Sequence, residues 1–163
     1  MSQLVQQSVS DIRLKSDIRG GMLKLEEYWK QDPGHTVGDD WVDQVEGGEL
    51  EHQFMSGLYV RKVLLPKGMF LTTKIHKVRH PFFVLQGKCR IMSDEGVVDI
   101  EAPYHGVTEP GTKRLMYIEE DVVWYTVHAT DKLSPEEVEE EVIAKNFGEI
   151  ELTEQEKIEL IRT

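Results

Sequence analysis

The sequence predicts an all-β sandwich or barrel in a single domain, with helical segments at both ends. Strand-like runs bounded by turn residues recur roughly every 8–12 residues through the middle of the chain. No helical periodicity lies between these runs, which argues against alternating strands and helices. At 163 residues, the chain is long enough to bury a core without disulfide bonds. The strand-like runs are residues 58–65, 69–78, 82–87, 88–93, 97–103, 104–111, 113–118 and 122–130.

The N-terminal part of the chain predicts a helix followed by an arm. Apolar residues at i, i+3 and i+7 indicate a short amphipathic helix over Met22–Lys30, and Gly20 and Gly21 punctuate the chain before it. Residues 31–53 are polar and rich in glycine and aspartate, which indicates a long loop or arm. This arm either drapes over the β region or reaches a neighbouring subunit.

The C-terminal part of the chain predicts two acidic helices. Ser134 is suited to the N-cap of the first, with Pro135 at the first helical position and Glu137 three residues past the cap. Thr153 and Glu156 form a second capping box. Three segments follow from these patterns, a helix and arm, a β region and the acidic helices, which are residues 1–56, 57–130 and 131–163.

Composition and charge exclude several classes of protein. The net charge is −11, with much of the excess in residues 131–163. A nucleic-acid-binding protein is therefore not expected, because phosphate recognition needs basic patches. No apolar run approaches the length that spans a bilayer, and we expect no signal peptide at the N-terminus. Cys89 is the only cysteine, so no disulfide can form within the chain, and a cytoplasmic location is favoured.

One stretch of the β region combines strand patterns with two histidines. It runs from Leu71 to Gly87 and has the sequence LTTKIHKVRHPFFVLQG. We interpret it as two strands that meet at a corner, with His76 and His80 held there and Pro81 opening the second strand. This corner is the first candidate for a functional site.

The spacing of this stretch resembles the first motif of the cupin superfamily. Gly68 and Gly87 match the two glycines that frame the motif, and His76 matches its second histidine. His80 stands where the family has a glutamate, and Lys74 stands where the family has its first histidine. The resemblance implies an all-β, cupin-type double-stranded β-barrel, or jelly roll.

A second motif and a closer resemblance extend this comparison. In the run EPGTKR (109–114), Gly111 matches the family, Pro110 comes one residue late, and Arg114 replaces a metal-binding histidine. Residues 57–145 look most like the small cupin-like proteins of tailed bacteriophages, in phrases such as GLYVRKVLLPKGMFLTTKIHK. That resemblance implies a phage origin, with the protein in the bacterial host cytoplasm or in the virion. It carries no assigned reaction.

The topology that the resemblance implies brings distant residues together. The strand that begins at His80 pairs antiparallel with the last strand, so His128 should lie near His80 and His76. Arg114 should open its own strand at the same end. Three neutral imidazoles suit Zn, Fe, Ni or Cu and leave an open coordination position. We therefore predict a metal site formed by the three histidines, with Arg114 and Lys74 binding a carboxylate or phosphate.

Two other interpretations of these side chains stay open. One is a pocket without metal, whose cationic groups bind an anion directly. The other is a set of histidines with ordinary hydrogen bonds and no small-molecule site. His105 comes about five residues before the Pro-Gly turn, on the order of 15 Å away at the rise of a strand, and is not included in the site. His35 and His52 carry no signal. Strand periodicity makes Cys89 a core thiol rather than a nucleophile.

Two hypotheses for function follow from these patterns. The first is a small-molecule metalloprotein that acts on an anionic substrate by oxidation, isomerisation or lyase chemistry, among which the residues do not choose. The second is a non-catalytic structural or host-interaction protein of a phage, with the barrel as its scaffold. Extensions of this size on a small barrel favour a homodimer.

Overall fold

The computed structural model describes residues 3–31 and 45–150, in which β-strands are the most frequent element. The predicted second C-terminal helix and most of the predicted arm lie outside the described residues. The elements in chain order are α1 (Gln3–Trp29), β1 (Glu49–Met55), β2 (Leu58–Leu65), β3 (Phe70–Thr72), β4 (Ile75–His76), β5 (His80–Ser93), β6 (Gly96–Glu101), β7 (Tyr104–Thr108), β8 (Leu115–Ala129), α2 (Pro135–Val142), β9 (Ile143–Ala144) and a short 3-10 helix (Phe147–Glu149).

Two long antiparallel strands, β5 and β8, build both layers of the fold. The N-terminal half of β5 pairs with the C-terminal half of β8, for example at Val84 and Trp124. This pair lies between β7 and β2, and β1 extends the resulting first sheet beyond β2. The C-terminal half of β5 pairs with the N-terminal half of β8, for example at Ile91 and Met116. This pair lies between β6 and β3 and forms the second sheet. The two halves of each strand therefore belong to facing sheets, and the predicted all-β jelly-roll class is confirmed.

The bend between the two sheets depends on Gly87. The pairing of β5 with β8 shifts register between Val84 and Cys89, as expected for β-bulges. Gly87 has a φ of +89°, and a Cβ there would lie 2.7 Å from the carbonyl carbon of Asp121. Only glycine fits such a conformation and such a close approach without strain. The sequence predicted strand ends at Gly87 and at the acidic turn before Val122, but both strands bend there and continue.

The core lies between the inner faces of the two sheets. Side chains alternate between buried and exposed along β5 and β8, as the period of a strand requires. Val84, Ile118 and Val122 are completely buried at its centre. Cys89 is also buried, and burial raises the pKa of its thiol to about 11. The prediction that Cys89 is a core thiol is therefore confirmed.

The N-terminal helix α1 is longer than predicted and continues through Gly20 and Gly21. The two glycines do not end it, because contacts with the β region hold the following turns. Glu26 is buried, accepts a hydrogen bond from the Thr72 hydroxyl and pairs with the ammonium of Lys113. Within the described residues, no helix is long and apolar enough to cross a membrane.

The predicted arm over residues 31–53 is wrong for its last part. Glu49–Met55 form strand β1, which pairs with β2 in register from Glu49 opposite Leu64 to Met55 opposite Leu58. Partly buried Leu50 and Phe54 face inward on this strand. The segment Glu49–Met55 thus contains the polar–apolar alternation of a strand. The glycines and acids around it nevertheless favoured the prediction of a loop.

The helix α2 covers one end of the space between the sheets. Ser134 is its N-cap, and the Ser134 Oγ accepts a hydrogen bond from the Glu137 N–H at 3.3 Å, which confirms the predicted cap. Val138 and Val142 are buried against Tyr59. The chain then pairs as β9 with β4, so the C-terminal segment is fixed over the mouth of the barrel.

Candidate functional site

A cavity of about 120 Å³ lies between the sheets beneath α2. Strands β2 and β8 supply one wall, and residues near β3 and β4 supply the other. The cavity contains every residue that the sequence predicted for the site: His76, His80, His128, Arg114 and Lys74. The fold thus brings together side chains that are up to 54 positions apart in the sequence.

Strand pairing explains why His80 and His128 meet, and His76 joins them from the neighbouring strand β4. Phe82 on β5 lies opposite Thr126 on β8, so His80 and His128, each two residues towards the mouth, lie at the same level. Their ring centroids are 4.1 Å apart. His76 lies on β4, with its ring centroid 4.8 Å from that of His80.

Each of the three imidazoles has a buried nitrogen without a hydrogen-bond partner in the part of the chain that the structure describes: His76 Nδ1, His80 Nε2 and His128 Nδ1. The Nδ1 of His80 lies 2.9 Å from the Val78 carbonyl oxygen. A carbonyl only accepts, so this Nδ1 carries the proton and Nε2 presents a lone pair to the cavity. Metal-binding histidines are commonly oriented by such a hydrogen bond from their other nitrogen.

Burial keeps the three imidazoles neutral near pH 7. It lowers the pKa of His128 from 6.5 to about 4, and the neighbouring His80 and Arg61 act in the same direction. The pKa of His76 lies well below 6.5, because of burial first and then of neighbouring cations including Arg114. Burial also lowers the pKa of His80, against the opposing effect of its hydrogen bond to Val78. Neutral imidazoles retain the lone pairs that a metal ion requires.

Arg114 places a buried guanidinium beside the histidines. Its Nη2 donates a hydrogen bond of 2.9 Å to the Thr108 hydroxyl, and its guanidinium carbon lies 5.1 Å from the Phe82 ring centroid and 5.9 Å from that of Trp124. Burial lowers the pKa of Arg114 from 12.5 to about 10, and the negative charge of Glu95 opposes part of this shift. Across residues 3–31 and 45–150, no carboxylate forms an ion pair with it.

Lys74 lines the same cavity but differs from Arg114 in its electrostatic environment. Its ammonium lies 2.7 Å from a carboxylate oxygen of Glu139 on α2. The positive charge of Lys74 is thus balanced within the protein, and the ion pair joins the wall of the cavity to the helix that covers it. Of the two predicted anion-binding residues, Arg114 is the one without a carboxylate partner among the described residues.

Three further cavity residues were missed at the level of sequence: His52, Tyr59 and Arg61. His52 Nδ1 lies 2.7 Å from the Tyr59 hydroxyl, and the Tyr59 ring stacks near that of His128 with centroids 6.0 Å apart. His52, which falls in the predicted polar arm, lies on β1. Tyr59 and Arg61 could have been found, because alternation along the predicted strand 58–65 places them on the same face as Val63.

The predicted metal ligands have suitable chemistry but no preformed coordination geometry. Three neutral imidazoles are typical donors for Zn, Fe, Ni or Cu, and the three unpartnered nitrogens are consistent with that role. Among the residues whose structure is described, however, no three His, Cys, Asp or Glu side chains are positioned to hold a metal ion together. Binding would therefore require the imidazole rings to reorient.

No known family model matches the chain, and no curated protein matches it either. Solved structures share part of its fold. The cupin domain of Cnp3 from Schizosaccharomyces pombe aligns with 55% of this chain and 67% of its own, at 18% identity and a TM-score of 0.45. An RmlC-like cupin protein from Methanocaldococcus jannaschii aligns with 53% and 83%, at 11% identity and a TM-score of 0.44.

A third solved structure is an HTH_3 family transcriptional regulator from Vibrio cholerae. It aligns with 52% of this chain and 52% of its own, at 16% identity and a TM-score of 0.43, so this chain spans about half of its length. Identities and TM-scores of this size carry no argument about function. The jelly-roll arrangement follows from the strand pairing within this chain. The phage origin stays a prediction.

Proposed function

We propose that the protein binds a small anionic molecule in the cavity beneath α2, with Arg114 as the main anchor. The observation that supports this proposal is a buried guanidinium with no carboxylate partner in the described chain, beside three unpartnered imidazole nitrogens. The negative charge of Glu95 acts on the guanidinium from beyond ion-pair distance, and burying a charge without a directly paired carboxylate is unfavourable. An anion in the cavity supplies the missing negative charge and accepts hydrogen bonds from the guanidinium.

We further propose that His76, His80 and His128 hold one transition metal ion, Zn, Fe, Ni or Cu, next to this anion. A bound metal ion would supply Lewis acidity to a ligand oxygen. The chain's own part is to keep three imidazoles neutral and to exclude water with α2. Three neutral donors leave the charge of a dication uncompensated, so the metal and Arg114 would both favour a negatively charged ligand.

The anion proposal is tested by thermal unfolding in the presence of sodium acetate, sodium butanoate or inorganic phosphate, with sodium chloride at equal ionic strength as the reference. An anion at a hundred times its Kd stabilises the folded state by about 2.7 kcal/mol. We expect this response in the wild type and its loss in Arg114→Gln. The matched control is Arg90→Gln, because Arg90 is exposed and already paired with Asp99.

Two outcomes would contradict the anion proposal. One is a wild-type protein whose unfolding temperature is the same in every anion as in chloride. The other is an Arg114→Gln variant that keeps the full response while Arg90→Gln does too. Either result would mean that the buried guanidinium has a role only in the packing of the barrel.

The metal proposal is tested separately, by elemental analysis of protein purified without an affinity tag. We expect about one transition metal ion per chain, with a strong loss in His128→Gln. His105→Gln is the matched control, because His105 is exposed on the outer face of β7. A metal-free chain whose unfolding temperature responds neither to chelators nor to added Zn, Fe, Ni or Cu would exclude the metal and leave the anion proposal intact.

A further inference from the structure

The cavity is polar at its mouth and apolar at its inner end. Along β2 the inward side chains change from Tyr59 and Arg61 near the mouth to Val63 and Leu65 deeper in the barrel. The change falls between Arg61 and Val63, which are separated by roughly 7 Å along the strand at about 3.3 Å per residue. A molecule in the cavity would therefore meet charged and uncharged surroundings at its two ends.

The neighbouring strand β8 repeats the same gradient in register. Its His128 lies opposite Tyr59, and its Trp124 lies opposite Val63. The change from polar to apolar lining is thus a property of the whole wall formed by the two strands.

The opposite wall completes the apolar end. Leu71 on β3 lies opposite Met116 on β8, and both side chains are buried and line the cavity. Together with Leu65 they form a hydrocarbon floor. A phosphate or sulfate presents oxygens in all directions. At least one of its oxygen atoms would therefore face this floor, where it would find no hydrogen-bond donor.

We propose that the ligand is a small monocarboxylate with an apolar body, an inference that rests on the proposed anion binding at Arg114. The carboxylate meets the guanidinium and the imidazoles, and the hydrocarbon body extends towards Leu65, Leu71 and Met116. A planar carboxylate matches the planar guanidinium in a bidentate pair. For comparison, an engineered cavity of about 150 Å³ in another protein holds benzene, so about 120 Å³ accommodates a body of roughly three to five carbons.

The test is isothermal titration of the full chain, as purified, with acetate, butanoate, pentanoate, inorganic phosphate and 1-pentanol at constant ionic strength. From acetate to pentanoate, the Kd should fall about fourfold for each added methylene, because each one is buried in the apolar end of the cavity. Phosphate should bind more weakly than butanoate, and 1-pentanol should not bind. Arg114→Gln should weaken all the carboxylates together.

Two variants of the apolar lining, one in the wall and one in the floor, test where the hydrocarbon body lies. Val63→Leu adds one carbon to the wall and should weaken the binding of pentanoate while leaving the affinity for acetate unchanged. Leu71→Ala enlarges the floor and should shift the preference towards hexanoate. Far-ultraviolet circular dichroism establishes that each variant is folded, and the shift in chain-length preference within one variant is independent of its overall stability.

The possible results separate this inference from the proposed function. Arg114-dependent binding in which acetate, phosphate and pentanoate have equal affinity would overturn the monocarboxylate inference and leave the anion proposal standing. The same holds if neither Val63→Leu nor Leu71→Ala changes the chain-length preference. Absence of binding by every anion would overturn both.

Discussion

Protonation of the buried histidines is predicted to weaken the fold in mildly acidic solution. The pKa of His128 is 6.5 for an imidazole in water and about 4 in the folded chain. Burial causes most of this lowering, and the neighbouring His80 and Arg61 add to it. The unfolded chain therefore takes up a proton at this site at a higher pH than the folded chain does. The corresponding stability is fully present above pH 6.5 and is lost as the pH falls towards 4.

The size of the effect follows from the difference between the two pKa values. Between pH 7 and pH 5, His128 alone should remove about 2 kcal/mol from the free energy of unfolding, and about 3 kcal/mol once the pH is below 4. Burial lowers the pKa values of His76 and His80 as well, so their protonation acts in the same direction. This loss is a large fraction of the stability of an ordinary domain.

The assay is urea unfolding of chelator-treated protein at pH 7 and at pH 5. His128→Gln, which does not titrate, should lose about 2 kcal/mol less than the wild type over this interval. His105→Gln is the matched control and should show the wild-type loss, because His105 is exposed on the outer face of the first sheet. A wild-type stability that does not change between the two pH values, or an undiminished loss in His128→Gln, would refute the reasoning.

Three further predictions concern single positions. Gly87→Ala should destabilise the protein by about 2–5 kcal/mol in urea unfolding, because of its positive φ and the approach of the Asp121 carbonyl group. Gly57→Ala, with a similar φ and open space around it, should cost only about 1–2 kcal/mol, and equal losses would contradict the contact argument. Cys89 should react with thiol reagents at neutral pH only on unfolding, since burial raises its pKa to about 11; rapid labelling of the native protein would show that the thiol is accessible. Ser134→Ala should lower stability by about 1 kcal/mol through loss of the α2 cap, and an unchanged urea midpoint would argue against that capping bond.

The β region was predictable because its turns are marked by strong local signals. Strand β2 has the predicted bounds, since Pro66 and Gly68 end it as turn residues do. Strands β5 and β8 were each predicted as two, because Gly87 and the acidic run near Asp121 look like turns. Whether such residues end a strand or bend it depends on the partner strand, and this information is not local.

The helices show the same limit in another form. Gly20 and Gly21 each lower the local preference for helix by about 1 kcal/mol, which suggested a break before Met22. Buried contacts of Glu26 and Trp29 with the β region outweigh that preference. Tertiary packing therefore set the length of α1.

The site was predictable to the extent that strand pairing determined it. The convergence of His80 and His128 follows from the antiparallel pairing of β5 with β8. His76 precedes His80 by four residues on β4, and the structure places its ring beside that of His80. The role of Glu139 did not follow from the sequence. Nothing local to α2 states which of its exposed acids faces the barrel mouth and pairs with Lys74.

The groups that make this cavity suitable for an anion are also those that weaken the empty barrel. Arg114 has a pKa of about 10 instead of 12.5, so the folded state disfavours its charge by about 3 kcal/mol. The hydrogen bond to Thr108 and the ring faces of Phe82 and Trp124 offset part of this cost. An apolar side chain of similar volume would remove the remainder. The negative charge of Glu95 also favours the guanidinium, but no carboxylate among the described residues is directly paired with it. A bound anion would therefore convert an unfavourable buried cation into a hydrogen-bonded ion pair.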